Sequence, residues 1–132
     1  MIYMLDTDTC SYIIRQNPIV ISNYKKRENE NTICISSITK DELLFGAKIN
    51  NSSKLTQAIS NLLQMVSVMD FTSDSADSSS DIRAHLQKQG KPIGEMDCLI
   101  AGCAISHNAV LITNNTKHYA KIPNLQIENW SE

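Results

Sequence analysis

Short apolar runs of strand length recur along the chain. β-Branched residues are common in them, and polar or turn-forming residues bound them, so each run predicts a buried strand. Runs that are apolar at consecutive positions are typical of parallel sheets covered on both faces. The runs lie at Ile2–Leu5, Ile33–Ile35, Val66–Met69, Val110–Ile112 and Leu125–Ile127.

Between these runs, apolar residues recur at the three- and four-residue spacing of helices. Asn17 and Pro18 interrupt the first helical region, which therefore predicts two short helices there. The Ser- and Asp-rich stretch 72–80 leads into an apolar pattern and predicts a loop followed by the start of a helix. The helical stripes comprise Ile38, Leu43, Leu44 and Ala47, then Leu55, Ile59, Leu62 and Leu63, then Ile82 and Leu86, and finally Leu99, Ile100, Cys103 and Ala104.

Strands that alternate with helices predict an α/β sandwich around a mainly parallel sheet. In such folds, ligands gather beyond the carboxyl ends of the strands. The 132 residues are enough for one domain, which we expect to span 1–132. The apolar start Ile2–Leu5 meets Asp6 at once and lacks the basic leader of a signal peptide, and no run is long enough to cross a membrane. We therefore expect a cytoplasmic protein.

The cysteines and histidines do not predict a zinc site or a disulfide framework. None of the four cysteines forms a C-x-x-C pair, and the three histidines are not spaced to complete a zinc site. We expect the thiols to be buried and reduced. The residues are Cys10, Cys34, Cys98 and Cys103, with His85, His107 and His118.

The net charge of −2 excludes a globally basic binder of nucleic acid, but the basic residues are clustered. Each cluster alone is typical of a solvated face. Together, on a chain whose other motifs indicate phosphate chemistry, they predict contacts to a nucleic-acid backbone. The clusters are Lys25–Arg27, Lys88 with Lys91, and Lys117 with His118 and Lys121.

Three acidic residues lie where the predicted fold would place a site. Asp6 directly follows the first strand, Glu42 lies within the first turns of a helix that Ser37 or Thr39 would cap, and Asp97 begins a later helix. Each acid alone has the structural role of a helix cap or a partner of the helix dipole.

Convergence of these three acids would create a site for a cation. Two carboxylates about 5 Å apart repel by about 3 kcal/mol at an effective dielectric constant near 20. Such a cluster needs protonation or a cation to persist near neutral pH. Oxygen ligands without histidine or thiolate favour Mg²⁺ or Mn²⁺, either of which suits phosphodiester hydrolysis.

Ordered motifs across most of the chain make it resemble the PIN-domain family and, more closely, the VapC-type toxins. The resemblance implies a three-layer α/β/α domain with strand order 3-2-1-4-5, often dimeric. It implies a metal-dependent endoribonuclease that cuts tRNA, including initiator tRNA, or ribosomal RNA, and so stops translation. It also implies inhibition by a cognate VapB-type antitoxin. The motifs are Met4–Thr7, Ile35–Thr39, Glu42–Ala47, Ile82–Ala84, Gly90–Gly94, Asp97–Ala101, Leu111–Thr116 and Ile122–Leu125 with Glu128–Trp130.

The resemblance also assigns roles to residues. Asp6, Glu42 and Asp97 would be the core acids, with Asp6 and Asp97 as direct metal ligands. Thr113 would hold Asp6 through its hydroxyl. The family often has a fourth acid at the position of Asn115, which would here be a neutral ligand or a group that positions water. We expect Asn115→Asp to tighten metal binding.

Two further acidic residues, Asp8 and Glu95, bear on positions where the chain departs from the family pattern. Asp8 occupies a position where relatives usually have asparagine; of an added site charge and a helix cap, we favour the cap. Glu95, near Asp97, is a candidate for supplying part of the charge missing at Asn115.

Three other functions are alternatives to a ribonuclease. A catalytically weak PIN-like module that binds RNA or protein stays open, although the retained acids favour activity. A FEN-like DNase would need extra DNA-binding elements for which the chain has no room. A dinucleotide-binding protein is excluded because no G-x-G-x-x-G or Walker A motif occurs among the four glycines. The apolar residues Tyr12, Ile13, Ile14, Leu44 and Phe45 belong either to the core or to a groove for the antitoxin.

Overall fold

A five-stranded sheet with helices on both faces forms the domain. The computed structural model describes residues 1–132. The strands lie in the order β3-β2-β1-β4-β5, and every neighbouring pair is parallel. This confirms the expected fold class and strand order. The strands are β1 (Ile2–Leu5), β2 (Thr32–Ser36), β3 (Ser67–Met69), β4 (Val110–Ile112) and β5 (Ile127–Glu128).

Seven helices connect and cover the strands. The predicted break in the first helical region is confirmed, because α1 ends at Ile14 and α2 begins at Pro18, with the Asn17 side chain accepting from the backbone N–H groups of Ile19 and Val20. None of the helices is long and apolar enough to cross a membrane. The helices are α1 (Thr7–Ile14), α2 (Pro18–Arg27), α3 (Ser37–Asn50), α4 (Ser53–Met65), α5 (Ser73–Lys88), α6 (Glu95–Ser106) and α7 (Thr116–Tyr119).

Successive residues of the central strands enter two apolar layers, one on each face of the sheet. Tyr3 and Leu5 of β1 pack with α1–α4, whereas Met4 between them packs with α5–α7. The strands therefore read as continuous apolar runs, because both of their faces are buried. All four cysteines are buried in these layers, as predicted, and none forms a disulfide.

Three element boundaries differ from the sequence predictions. Ser36, the last residue of β2, caps α3 by accepting from the backbone N–H of Thr39 at 3.0 Å, so the predicted caps Ser37 and Thr39 are wrong. Val66 ends α4 instead of starting β3. β5 begins two residues later and ends one residue later than predicted, because its pairing with β4 sets Leu111 opposite Ile127. β2 runs directly into α3, and a single residue separates α4 from β3. The pairing register between strands, which the sequence pattern does not specify, sets where these strands and helices end.

The Ser- and Asp-rich stretch is helical almost throughout, so the predicted loop is wrong. Thr72 caps α5 in a reciprocal pair with Ser75, and the helix runs on from Ser73. Ser75 and Ser79 are buried. A Cβ on Gly102 of α6 would lie 2.7 Å from the backbone N of Ser79. Small residues are therefore needed where α5 and α6 cross closely.

Candidate active site

Asp6 occupies the junction of β1 and α1, where it is buried with 4% of its surface exposed. Its backbone N–H donates to the Ile112 carbonyl at 2.9 Å, which joins this junction to the end of β4. Its Oδ1 accepts from the backbone N–H of Thr9 at 2.8 Å, so Asp6 is the cap of α1. The prediction that Asp8 is the cap is wrong: Asp8 lies in the first turn and is exposed. The cap bond fixes the Asp6 carboxylate at the carboxyl end of the sheet.

Burial raises the pKa of Asp6 above its ordinary value, and the charge of Asp8 adds to that shift. Hydrogen bonding from Thr113 and Thr9 opposes it. No lysine, arginine or histidine forms an ion pair with Asp6. The site thus holds a carboxylate that has lost much of its hydration and has no cationic side chain to balance it.

Thr113 lies at the end of β4, fully buried beside Asp6. Its Oγ1 accepts from the backbone N–H of Asn115 at 3.0 Å. The hydroxyl proton remains available for Asp6, whose pKa it lowers. The structure therefore places the Thr113 hydroxyl beside the Asp6 carboxylate.

Glu42 lies in the second turn of α3 and is partly buried. The Thr7 hydroxyl donates to Glu42 Oε1 at 2.6 Å and lies 3.2 Å from the Thr39 hydroxyl. Thr7 is the residue next to Asp6, so the two acids approach from either side of the same short junction. The neighbouring Asp41 is exposed and lies after the first turn of α3, which has no acidic residue.

Asp97 lies in the first turn of α6, as predicted, where the Gly94 cap has no side chain. Its Oδ2 is 3.8 Å from His118 Nδ1 on α7, and 35% of its side chain is exposed. The Asn115 amide approaches the same ring nitrogen, with Nδ2 2.9 Å from Nδ1. Asn115 thus faces His118 within α7.

The buried phenol of Tyr119 lies near acids of α6 and of the β1–α1 junction. Tyr119 is buried, and burial raises its pKa far above the ordinary value, with further increases from the charges of Asp97, Asp6 and Asp8 and from hydrogen bonding to Asp97. One buried phenol therefore feels the carboxylates of two separate elements. Glu42 is not among them.

His118 and Tyr119 are site residues that the sequence reasoning missed. The sequence pattern groups His118 with Lys117 and Lys121 as a basic cluster and gives no role to Tyr119. Their position after Asn115 was the available signal. A one-turn helix that starts only three residues beyond β4 returns its third and fourth residues towards the edge of the sheet.

The three predicted acids are neighbours at one edge of the sheet, but they do not close around one point. No three acidic, histidine or cysteine side chains are grouped closely enough to hold a metal ion as the side chains are oriented. Asp6 and Asp97 are the two that could share a cation, since both border Tyr119. Their oxygen donors and the unbalanced charge of Asp6 fit a hard divalent ion. Glu95 pairs with Arg83 at 3.2 Å, so its charge is already compensated.

A separate apolar groove of about 280 Å³ lies between α1, α2 and α4. Ile13 and Ile14 line it and also pack against the apolar layer that α1–α4 cover, whereas Tyr12 and Leu44 pack against that layer without lining the groove. Phe45 is neither, because 63% of it is exposed on α3. Of the five apolar positions left open by the sequence, two therefore serve both groove and core, two serve the core alone, and Phe45 serves neither.

A family model for the PIN domain matches residues 3–124, and the chain belongs to the PIN-domain family. Within that family it is one of the VapC ribonucleases. It is 40% identical to "Ribonuclease VapC2" of Rickettsia felis over 100% of both chains. It is 37% identical to "tRNA(fMet)-specific endonuclease VapC" of Salmonella typhimurium over 97% of each.

Solved structures give the same relationship. VapBC2 of Rickettsia felis, bound to a DNA fragment from its promoter, superposes with a TM-score of 0.88 at 40% identity, covering 98% of this chain and 99% of that one. DNA-bound VapBC of Salmonella typhimurium superposes with a TM-score of 0.87 at 32% identity, covering 98% of both. The family and the ribonuclease class expected from the sequence are therefore confirmed.

Proposed function

We propose that this chain is a metal-dependent endoribonuclease toxin that hydrolyses a phosphodiester bond in a structured RNA, with tRNA as the first candidate. The observation that carries the proposal is the pair Asp6 and Asp97 beside one buried tyrosine, with Asp6 lacking a cationic partner. The endonuclease name of the Salmonella relative supports the tRNA assignment.

Asp6 and Asp97 would hold Mg²⁺ or Mn²⁺, which when bound activates water and offsets the charge of the phosphate. The chain's own groups supply the rest. The Thr9 N–H and Thr113 keep the Asp6 carboxylate turned to the edge of the sheet. Thr7 occupies Oε1 of Glu42, so Oε2 is free to accept a proton from the attacking water.

To test the proposed ribonuclease activity, total cellular RNA is incubated with the purified protein in Mg²⁺, in Mn²⁺ and in EDTA. We expect discrete fragments with either metal and none in EDTA. Asp6→Asn and Asp97→Asn should abolish the fragments while circular dichroism shows folded protein. Asp41→Asn, which removes one exposed charge beside Glu42, is the matched control and should cut normally.

Full cleavage by either site variant would remove the proposed site. If wild type and variants all leave RNA intact while folded and supplied with metal, the binding module becomes the favoured function. Mapping the fragment ends by primer extension identifies the RNA that is cut, and cuts spread over all RNA classes would contradict a structured target.

A VapB-type antitoxin is the proposed partner, and the groove between α1, α2 and α4 is its proposed binding surface. Most residues that line the groove are apolar, and the charged residues Lys25 and Glu28 also line it. Such a groove fits an amphipathic segment of the antitoxin. The superposed relatives are VapBC complexes. The family resemblance also implies a homodimer, which light scattering of the purified chain tests.

Co-purification with the antitoxin of the Rickettsia felis complex tests this surface. Met65→Asp places a charge in the groove and should weaken the complex without reducing RNA cleavage. Gln87→Asp on α5, across the sheet, is the control. Retention of the complex by Met65→Asp, or equal loss with Gln87→Asp, would place the partner elsewhere.

A further inference from the structure

The Asp97 carboxylate depends on α7 for its surroundings. Its own helix offers little, because Gly94 caps α6 without a side chain, and no side chain of α6 hydrogen-bonds to Asp97. The polar groups that approach it are His118 Nδ1 at 3.8 Å and the Tyr119 hydroxyl. Both belong to the four-residue helix α7. The availability of Asp97 for a ligand is therefore decided by how α7 arranges these two groups.

His118 lies between Asn115 and Asp97. The Asn115 amide Nδ2 lies 2.9 Å from His118 Nδ1. Since an amide N–H can only donate, this contact is a hydrogen bond in the ring tautomer that has its lone pair on Nδ1 and its proton on Nε2. The same Nδ1 is 3.8 Å from Asp97 Oδ2, beyond hydrogen-bonding distance. In this arrangement the imidazole packs beside the carboxylate but does not donate to it. Both oxygens of Asp97 are left for Tyr119 and for a cation.

Without the Asn115 amide, the neutral imidazole would be free to place its proton on Nδ1. A donor at that position, beside a carboxylate, would turn towards it, because a charge-assisted hydrogen bond is stronger than one to a neutral acceptor. Asp97 would then be engaged by His118. Asn115 therefore protects Asp97 from its own neighbour.

We propose that Asn115 is a positioning residue that acts through His118, holding the ring in the Nε2–H form so that Asp97 stays open to a metal ion. The residue at the family's fourth acidic position would then serve the site without being a ligand. This inference rests on the proposed function for its effect on metal binding, whereas the tautomer of His118 can be measured in metal-free protein.

The variants Asn115→Ala, His118→Ala and the double variant distinguish this role from direct ligation. Asn115 makes no side-chain cap bond to α7, and the His118 side chain is 43% exposed, so each change leaves the fold in place. We expect Asn115→Ala to weaken Mn²⁺ binding, measured by titration calorimetry with the metal alone, about 10-fold or more. His118→Ala should bind as wild type does, and adding it to Asn115→Ala should restore the affinity.

Nitrogen-15 spectra of the imidazole rings supply the readout that needs neither metal nor RNA. Wild type should show His118 with its proton on Nε2, and Asn115→Ala should move it to Nδ1. His107 lies at the C-terminal end of α6, with its Nε2 2.9 Å from the Asp70 carbonyl. It serves as the internal control, and its spectrum should not change.

An unchanged His118 tautomer in Asn115→Ala would overturn the inference, and so would a double variant as weak as Asn115→Ala alone, which is the result expected of a direct ligand. If wild type neither binds Mn²⁺ nor cuts RNA, the proposed function fails instead. The tautomer measurement then decides by itself whether Asn115 controls His118.

Discussion

The Asp6 carboxyl group is buried and has no cationic partner. Burial raises its pKa, so the folded chain holds the proton to a higher pH than the unfolded chain, whose ordinary value is near 3.8. Stability therefore falls as pH rises from that value through the folded pKa, because ionising Asp6 costs more in the folded state. Such a group is kept for chemistry at some expense of stability.

Asp6→Asn should raise the melting temperature in EDTA at pH 7, because the amide keeps the cap acceptor but carries no charge. The gain should shrink near pH 3.5, where Asp6 is protonated in both states. Mn²⁺ should stabilise wild type and not the variant. Calorimetry at the two pH values checks this, and a gain that is equal at both would show that charge is not the cause.

At this scale the sequence predicted the acids better than their local roles. Asp6, Glu42 and Asp97 followed from strand ends and helix starts, whereas the cap was wrongly given to Asp8. A carboxylate that caps a helix and one that serves a site look alike in sequence. His118 escaped notice because its importance comes from a 3.8 Å approach to Asp97, far away along the chain.

The crossing of α5 and α6 sets the shape of the layer behind the site. Ser79 and Gly102 meet there, where a Cβ on Gly102 would lie 2.7 Å from Ser79 atoms. α6 also carries Asp97 at its start. Because α6 packs closely on α5, this contact helps to set where Asp97 lies at the edge of the sheet. The Ser-rich sequence of α5, predicted partly as a loop, follows from this contact.

Gly102→Ala should destabilise the protein by about 1–3 kcal/mol, because the added methyl group forces the two helices apart. Gly46→Ala is the matched control: it lies within α3 with nothing within 4 Å of the new Cβ. There the substitution should stabilise by about 0.5–1 kcal/mol through reduced chain entropy. Urea unfolding of both variants measures the signs, and equal signs would contradict the assigned contact.

The C-terminal residues pack against β1 and α2. Trp130 is buried against the edge of the Tyr3 ring, with centroids 5.4 Å apart, and its indole N–H donates to Glu128 at 3.1 Å. Asn23 of α2 donates to the Trp130 carbonyl at 2.9 Å. The last residues therefore join β1, β5 and α2 in one apolar layer.

Trp130→Ala should cost about 3–5 kcal/mol, since it empties a large buried site. Trp130→Phe keeps a ring in contact with Tyr3 and should cost less. Urea midpoints at constant slope give both values. Similar small losses in the two variants would indicate that the C-terminal segment packs only loosely on β1.

The net charge of −2 gives RNA no overall attraction, so binding depends on local cations near the site. Lys117 is exposed in α7, next to His118. Lys117→Ala should weaken RNA binding and make its salt dependence shallower, because one fewer phosphate contact releases fewer counterions. Lys117→Arg should keep the slope. Filter binding at several salt concentrations tests this, and an unchanged slope in Lys117→Ala would return Lys117 to the solvated face.

The sequence by itself determined the five strands and most of the helices, because burial on both sheet faces demands continuous apolar runs. It also supplied the three acids, since chain order places them at strand ends and helix starts. The strand order came from family resemblance and not from these patterns, because periodicity says nothing about which strands pair. Only the tertiary structure decided which acids become neighbours, how Asn115 faces His118, and why α5 needs serine. Each depends on contacts between residues distant in the chain, whose distances and directions only packing sets.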